Sequence, residues 1–254
     1  MLYGLWQSAG GMQAQEYRQA IIANNLANAE TPGFKADRIA FVERLNASQA
    51  KGSSRTRHPV LDGMTGGVFE SEVYTDFTSK DIAIIPSADP LDIAVVGDGF
   101  LTVQTAEGRR YTRDGRLTLD RDGALVHVAT GGSVLDGQGQ PIVLDSTSGD
   151  KVKIDTLGAV RQGDNVVGRL GLADFSDRQQ LEKVGQNLFA AEGMQPVEGS
   201  GQIKQYAYEG SGVDPVATLV EMIAATRAYE ANAKMLTMQD ETLGRVVNDV
   251  GRIA

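Results

Sequence analysis

The run Leu91-Asp92-Ile93-Ala94-Val95-Val96, then Gly97-Asp98-Gly99, then Phe100-Leu101-Thr102-Val103 sets the character of the middle of the chain. It continues through Tyr111-Thr112-Arg113, Asp114-Gly115, Leu117-Thr118-Leu119 and Asp120-Arg121-Asp122-Gly123 to Val128. Short β-branched and aromatic runs separated by Asp-Gly steps predict hairpins, because Asp and Gly tolerate the positive φ that tight turns need. Residues 152–154 and 166–175 predict further strands. No helix-length apolar periodicity lies between these runs. A parallel βαβ sheet is therefore disfavoured, and an antiparallel β-domain over residues 67–204 is expected.

Outward from this middle, both ends read as helix. Residues 2–29 are good helix formers, with Leu5, Ala9, Met12, Ala23 and Leu26 near one face. Glu16 and Gln19 interrupt that stripe, and each glycine of the Gly10-Gly11 pair costs roughly 1 kcal/mol relative to alanine. Glu30-Thr31-Pro32-Gly33 ends the helix as a turn. At the other end, Asp214-Pro215 is a helix start, with Asp as cap and Pro in the first turn. Met222, Tyr229, Leu236, Leu243 and Val250 then recur at a spacing of seven, with Leu219, Ala233 and Val247 as the complementary position. This is a coiled-coil heptad pattern, interrupted by Thr226 and Asp240. An amphipathic helix packed on its own domain would show much of the same pattern. With no glycine between Gly212 and Gly244 and no proline after Pro215, a helix of roughly 30 residues or more is expected. The fold class is α+β: long terminal helices forming a coiled-coil-like region, and an antiparallel all-β central domain. The expected division is an N-terminal helical segment 1–46, a Ser/Gly/Arg-rich linker 47–66, the β-domain 67–204 and a C-terminal helical segment 205–254.

Composition narrows the function. The 254 residues are 41% hydrophobic and 22% charged, which suits a soluble protein with a true core. The net charge of −9 argues against nucleic acid as a partner. Lys51, Arg55 and Arg57, with His58 beside them, form a local basic cluster in the linker and read as a solvated loop. There is no cysteine, hence no disulfide or thiolate chemistry. No apolar run is long enough for membrane insertion, and the N-terminus lacks the order of a secretory signal peptide.

No catalytic, cofactor-binding or metal site is expected. The two histidines, His58 and His127, have no third partner at ligand spacing, and His127 reads as a surface or half-buried strand position. Asp120-x-Asp122-Gly123 resembles part of a calcium loop, but Gly131 stands where the closing carboxylate would be, so a hairpin turn is expected. Gly131-Gly132-Ser133 lacks the closing glycine of a nucleophile elbow. Gly97-Asp98-Gly99 is no dinucleotide fingerprint. A small-molecule substrate is not implied.

Three motifs resemble one family. Ile22-Ala23-Asn24-Asn25-Leu26-Ala27-Asn28 followed by Thr31-Pro32-Gly33-Phe34-Lys35 resembles the N-terminal signature of bacterial flagellar rod and hook proteins. Pro90-Leu91-Asp92-Ile93-Ala94, Gly97-Asp98-Gly99-Phe100 and Tyr111-Thr112-Arg113-Asp114-Gly115 resemble the family's central β-domain. Met222-Ile223, the run from Arg227 to Lys234 and the Leu243 region resemble its C-terminal helix. Val134-Leu135-Asp136 before Pro141-Ile142 is similar to the proximal rod protein. The distal rod protein is the near alternative, and a hook protein a further one. Two departures stand out: Gly210-Ser211-Gly212-Val213-Asp214 replaces a Ser-Asn-Val step, and Gln19 fills a usually apolar position.

The resemblance implies a structural subunit of the flagellar basal-body rod, non-enzymatic and without cofactor. It implies export through the flagellar type III apparatus without a cleaved signal, and helical assembly across the periplasm with itself and other rod and axial proteins. The expected assembly interface is Leu5, Met12, Asn24, Asn25, Leu26, Asn28, Leu219, Met222, Tyr229, Leu236, Leu243, Val247 and Val250. The three asparagines could instead cap the free carbonyls of the first helix. A β-rich extracellular binding module oligomerised by its helices is the rival of another class, and an enzyme with an unfamiliar site is a second.

Overall fold

The computed structural model describes residues 2–43, 68–78, 82–145 and 148–251, with backbone alone for residues 2, 3, 43, 68–71 and 249–251. The expected linker 47–66, with its basic cluster, lies outside the described residues. The described elements are α1 (Leu2–Ala27), a run of short strands, and α2 (Pro215–Gly251). This is the expected α+β class with helices at both ends. Asp214 caps α2 as its position before Pro215 requires: its carboxylate accepts from the Val216 and Ala217 N–H groups at 2.9 and 3.1 Å.

The chain forms two compact units, one of Met1–Ala27, Asp37–Thr75 and Asp214–Ala254, the other of Asn28–Ala36 and Asp76–Val213. The boundaries expected at 46/47 and 66/67 lie outside the described residues, and residues 204 and 205 fall within one unit. Asp37–Glu43, expected within a helical segment, is a strand paired antiparallel with Val68–Thr75, and this strand pair belongs to the same unit as the helices. A two-stranded ladder is marginal by itself and needs a packing partner. Residues 28–36 and 205–213 belong instead to the β unit.

In the β unit every strand pairing among the described residues is antiparallel. The largest sheet runs in the order Glu182–Gly185, Leu188–Ala190, Gly108–Thr112, Phe100–Thr105, Ser133–Val134, Leu125–His127, Leu117–Leu119. Val152–Ile154, Ala159–Gln162 and Asn165–Arg169 form a separate three-stranded sheet. Two apolar clusters hold the unit. One is aliphatic, centred on Ile93, Leu101, Leu125, Val134 and Val160. The other is aromatic, with Tyr111 and Phe175 packed edge-on at 4.8 Å and Phe100 against Phe189 at 5.7 Å.

The Asp-Gly steps do not all turn hairpins. Asp120–Gly123 does, because Leu119 pairs Leu125 and the Asp120 carboxylate accepts from the N–H groups of Asp122 and Ala124. Gly97-Asp98-Gly99 instead passes from Ile93–Val96, which pairs with Gln202–Gln205, into the large sheet. Asp114-Gly115 is likewise a crossing between strands. The run 166–175, expected to be strand, breaks at Leu170-Gly171, where Gly171 lies against the Asp136 carbonyl.

His127 is fully buried, not at the surface. It lies beside Asp114, also fully buried, with Nε2 3.4 Å from the carboxylate, while its Nδ1 lies 3.0 Å from the Thr130 hydroxyl. Burial opposes ionisation of Asp114. His127 and two Arg116 bonds at 2.8 and 3.1 Å outweigh it and hold the carboxyl below its ordinary value. The unfolded carboxyl, near 3.9, takes up protons before the folded one does. This contribution to stability is therefore present above that value and lost as pH falls through the lower, folded one. Thermal melts from pH 7 downward should show the β unit weakening below about pH 4. Asp114→Asn should flatten that acid limb while costing about 3 kcal/mol at neutral pH.

Candidate functional site

The helices pair antiparallel through contacts that repeat every seven residues. A β-carbon placed on Gly4 would lie 2.9 Å from the Gln239 carboxamide, and one on Gly11 would lie 3.2 Å from that of Asn232. This register sets Arg18 opposite Ala225 and Asn25 opposite Thr218. The α1 positions turned inward, Gly4, Ser8, Gly11, Gln15, Arg18, Ile22 and Asn25, alternate by four and three, the spacing of a coiled-coil seam. Ser8, Ile22, Asn25 and Ala225 are buried. The seam is thus small and polar on α1. Its glycines let the backbones approach, which is what the Gly10-Gly11 weakness in helix propensity gains. Buried polar atoms without a partner include Gln15 Oε1, Gln19 Nε2 and Gln239 Oε1.

This geometry distributes the expected interface residues unevenly. On α1, Leu5, Met12 and Leu26 sit one position past the inward ones and are half-buried. On α2, Met222, Tyr229, Leu236 and Leu243 are half-buried too, and their complementary positions are Ala225, Asn232 and Gln239. Leu219 and Val247, expected in that role, are 51% and 68% exposed. Thr226 and Asp240 are exposed and off the seam, with the Thr226 hydroxyl bonded back to the Met222 carbonyl. The side chain of Val250 lies outside the described residues. Beyond the seam, Val216, Leu219, Val220 and Ile223 form an exposed apolar stripe on the first turns of α2, and Trp6 on α1 is 78% exposed.

Of the asparagines, Asn25 is committed within the chain. Its carboxamide donates to the Asp37 carbonyl at 2.7 Å and accepts from the Asp37 N–H at 2.9 Å, copying a strand ladder. Asn28 accepts from the Thr31 backbone N–H on its carbonyl and from the Thr31 hydroxyl on its side chain; both bonds close the turn after α1, and neither is a donation to a free helix carbonyl. Asn24 is exposed.

Within the β unit, the stretch after α1 is seated against the turn that follows Tyr111. Gly33, at φ +68°, lies so close to the Arg113–Asp114 backbone that any β-carbon would overlap it. Lys35 is buried, with Nζ 2.6 Å from Glu209 Oε1, while Arg113 Nη1 lies 3.2 Å from Glu209 Oε2. Arg113 also donates to the carbonyls of Val95 and Gly97 and stacks on Phe100 at 5.2 Å. Burial is the main influence on both cations and pulls each below its ordinary value against the pull of Glu209. Lys35 and Arg113 stand in separate sequence motifs and Glu209 in neither, so nothing local in the sequence pairs them. Among the described residues no three His, Asp or Glu side chains are grouped as a metal site.

The comparisons with known proteins agree with this arrangement. The profile described as "Flagella basal body rod protein" matches residues 7–35, the hook protein FlgE/F/G D1 domain matches 94–162, and the basal body rod FlgEFG C-terminal profile matches 204–249. Flagellar basal-body rod protein FlgG of Bacillus subtilis (strain 168) is 32% identical, covering 98% of this chain and 99% of that protein. Rod protein FlgF of Caulobacter vibrioides is 37% identical over 92% of this chain and 91% of its own length. FlgG of the same organism is 29% identical over 95% and 97%. Two helical ends around a β unit, in this order along the chain, define a structural subunit of a flagellar axial assembly. The chain belongs to the flagellar basal-body rod protein family.

Proposed function

We propose that this rod subunit joins copies of itself and other axial proteins through α1 and α2, and that the resulting helical shaft crosses the periplasm and carries torque without any catalytic step. The observation that carries this reading is the exposed stripe of Val216, Leu219, Val220 and Ile223 on a helix whose inner seam is already occupied. A head-to-tail contact of this kind, repeated with a rotation and a rise, builds an open helix and not a closed ring. Leu5, Met12, Leu26, Met222, Tyr229, Leu236, Leu243 and Val247 supply the rest of the contact. Passage through the flagellar type III apparatus without a cleaved signal, and the proximal position in the rod, complete the proposal.

The test is electron microscopy of basal bodies, with a motility assay, in a strain lacking the gene. Missing or truncated rods are expected, and the point of truncation separates proximal from distal placement. Intact rods in motile cells would overturn the proposal.

A further inference from the structure

We propose that Lys35, Glu209 and Arg113 form a charge latch that seats residues 28–36 and 209–213 on the β unit as one cooperative piece, opening separately from the sheet. This goes beyond the assembly role and does not depend on it.

Three observations carry the inference. The first is how the two segments are held. Gly33 N–H donates to the Glu209 carbonyl and Gly212 N–H to the Phe34 carbonyl, both at 2.8 Å, and the Ser211 hydroxyl donates to the Asn28 carbonyl at 2.8 Å. Each segment thus supplies backbone partners to the other, so these bonds are lost together when either leaves. The second is the hold of the rest of the β unit on the piece, which is mainly polar: Lys183 Nζ donates to the Lys35 carbonyl at 2.6 Å and lies over the Phe34 ring, Asn187 Nδ2 donates to the Pro32 carbonyl at 2.8 Å, and at its edge Glu209 pairs with Ile84 and Gly210 N–H donates to the Ala83 carbonyl at 2.8 Å. The residues of the aliphatic and aromatic clusters belong to other segments, so the piece can lift without dissolving either.

The third is the charge cluster itself. A buried ion pair adds little net stability but is costly to break from one side, because the remaining charge is stranded. Here Glu209 lies within the piece, between Lys35 of the other segment and Arg113, which follows the strand Gly108–Thr112. Arg113 Nε is buried and has no partner. All three side chains line a cleft of about 700 Å³, through which water reaches them when the piece lifts. Seating is therefore all or none: with Glu209 in place both cations are matched, and without it both are not.

The test is amide hydrogen exchange on the full-length chain under native conditions. Lys35→Met should speed exchange at Gly33 and Gly212 together, on the order of a hundredfold, and leave Leu101, Leu125 and Val134 unchanged. Gly33→Ala should do the same with every charge intact. Lys35→Met combined with Glu209→Gln should cost less than the two changes added, since the buried ammonium that Glu209→Gln alone would strand is then absent. Exchange that rises in only one of the two segments, or in neither, overturns the latch. If Lys35→Met loosens the sheet as well, Lys183→Met carries the decision, because it removes the bond to the Lys35 carbonyl and the contact over the Phe34 ring while leaving the Lys35, Glu209 and Arg113 side chains in place. Paired acceleration at Gly33 and Gly212 then supports the latch, and a uniform rise across the β unit overturns it.

Discussion

Replacing Leu219 and Ile223 together by Asp should abolish incorporation into the rod and, with it, motility. Both residues are about half exposed in the single chain, so the substitutions cost the folded monomer little. In a shaft built on this stripe they would place two carboxylates in a contact that excludes water. Stranding a charge there costs about 3 kcal/mol or more, on the order of a hundredfold in affinity for each. The readout is the rescue of a deletion strain by the variant, with the melting transition of the purified chain as control. Normal rods containing the double variant would remove the stripe from the interface. A lost transition in the β unit would show that these positions matter for folding instead.

The largest effect on stability should come from a single methyl group. A β-carbon on Gly115 would overlap the Ile93 carbonyl oxygen, and the two residues are already tied together because the Ile93 N–H donates to the Gly115 carbonyl at 2.9 Å. Neither backbone can move without breaking the strand Ile93–Val96 away from Gln202–Gln205. Gly115→Ala should therefore destabilise the β unit by about 3 kcal/mol or more, read as a shift of the denaturant midpoint. Gly137→Ala is the comparison, because nothing lies within 4 Å of the added atom. Equal midpoints for the two variants would mean that the Gly115 contact relaxes freely. The same contact explains why an Asp-Gly step that looks like a hairpin turn is none: glycine serves there for close approach.

These cases show which parts of the fold were legible from sequence. Local chemistry was: the Asp214-Pro215 start of α2, the carboxylate-braced turn at Asp120, and the helical reading of residues 2–29 all follow from interactions within a few residues. Partnerships across the chain were not. The strand Asp37–Glu43 pairs with one beginning at Val68, and no turn signal joins them. The inner face of α1 was missed because glycine, serine and glutamine carry no hydrophobic periodicity. The apolar residues that do carry it, Leu5, Met12 and Leu26, are displaced by one position from the seam. His127 was misplaced for a related reason. An imidazole in a strand is ordinary at a surface, and only the buried Asp114, thirteen residues earlier, makes it an interior residue. The candidate interface was legible as a helix and a composition, but which side chains remain available for other chains emerged only once the intramolecular seam was known.

Trp6 gives the molecule an optical property. It is the only tryptophan in the chain, and its ring stands on an outer face of α1 in contact with solvent. An indole in water emits further to the red than one enclosed by apolar side chains. Any step that covers that face therefore shifts the colour of the protein's intrinsic fluorescence, and no second indole is present to blur the signal. The subunit thus carries its own unlabelled reporter on α1, one of the two helices through which assembly is proposed.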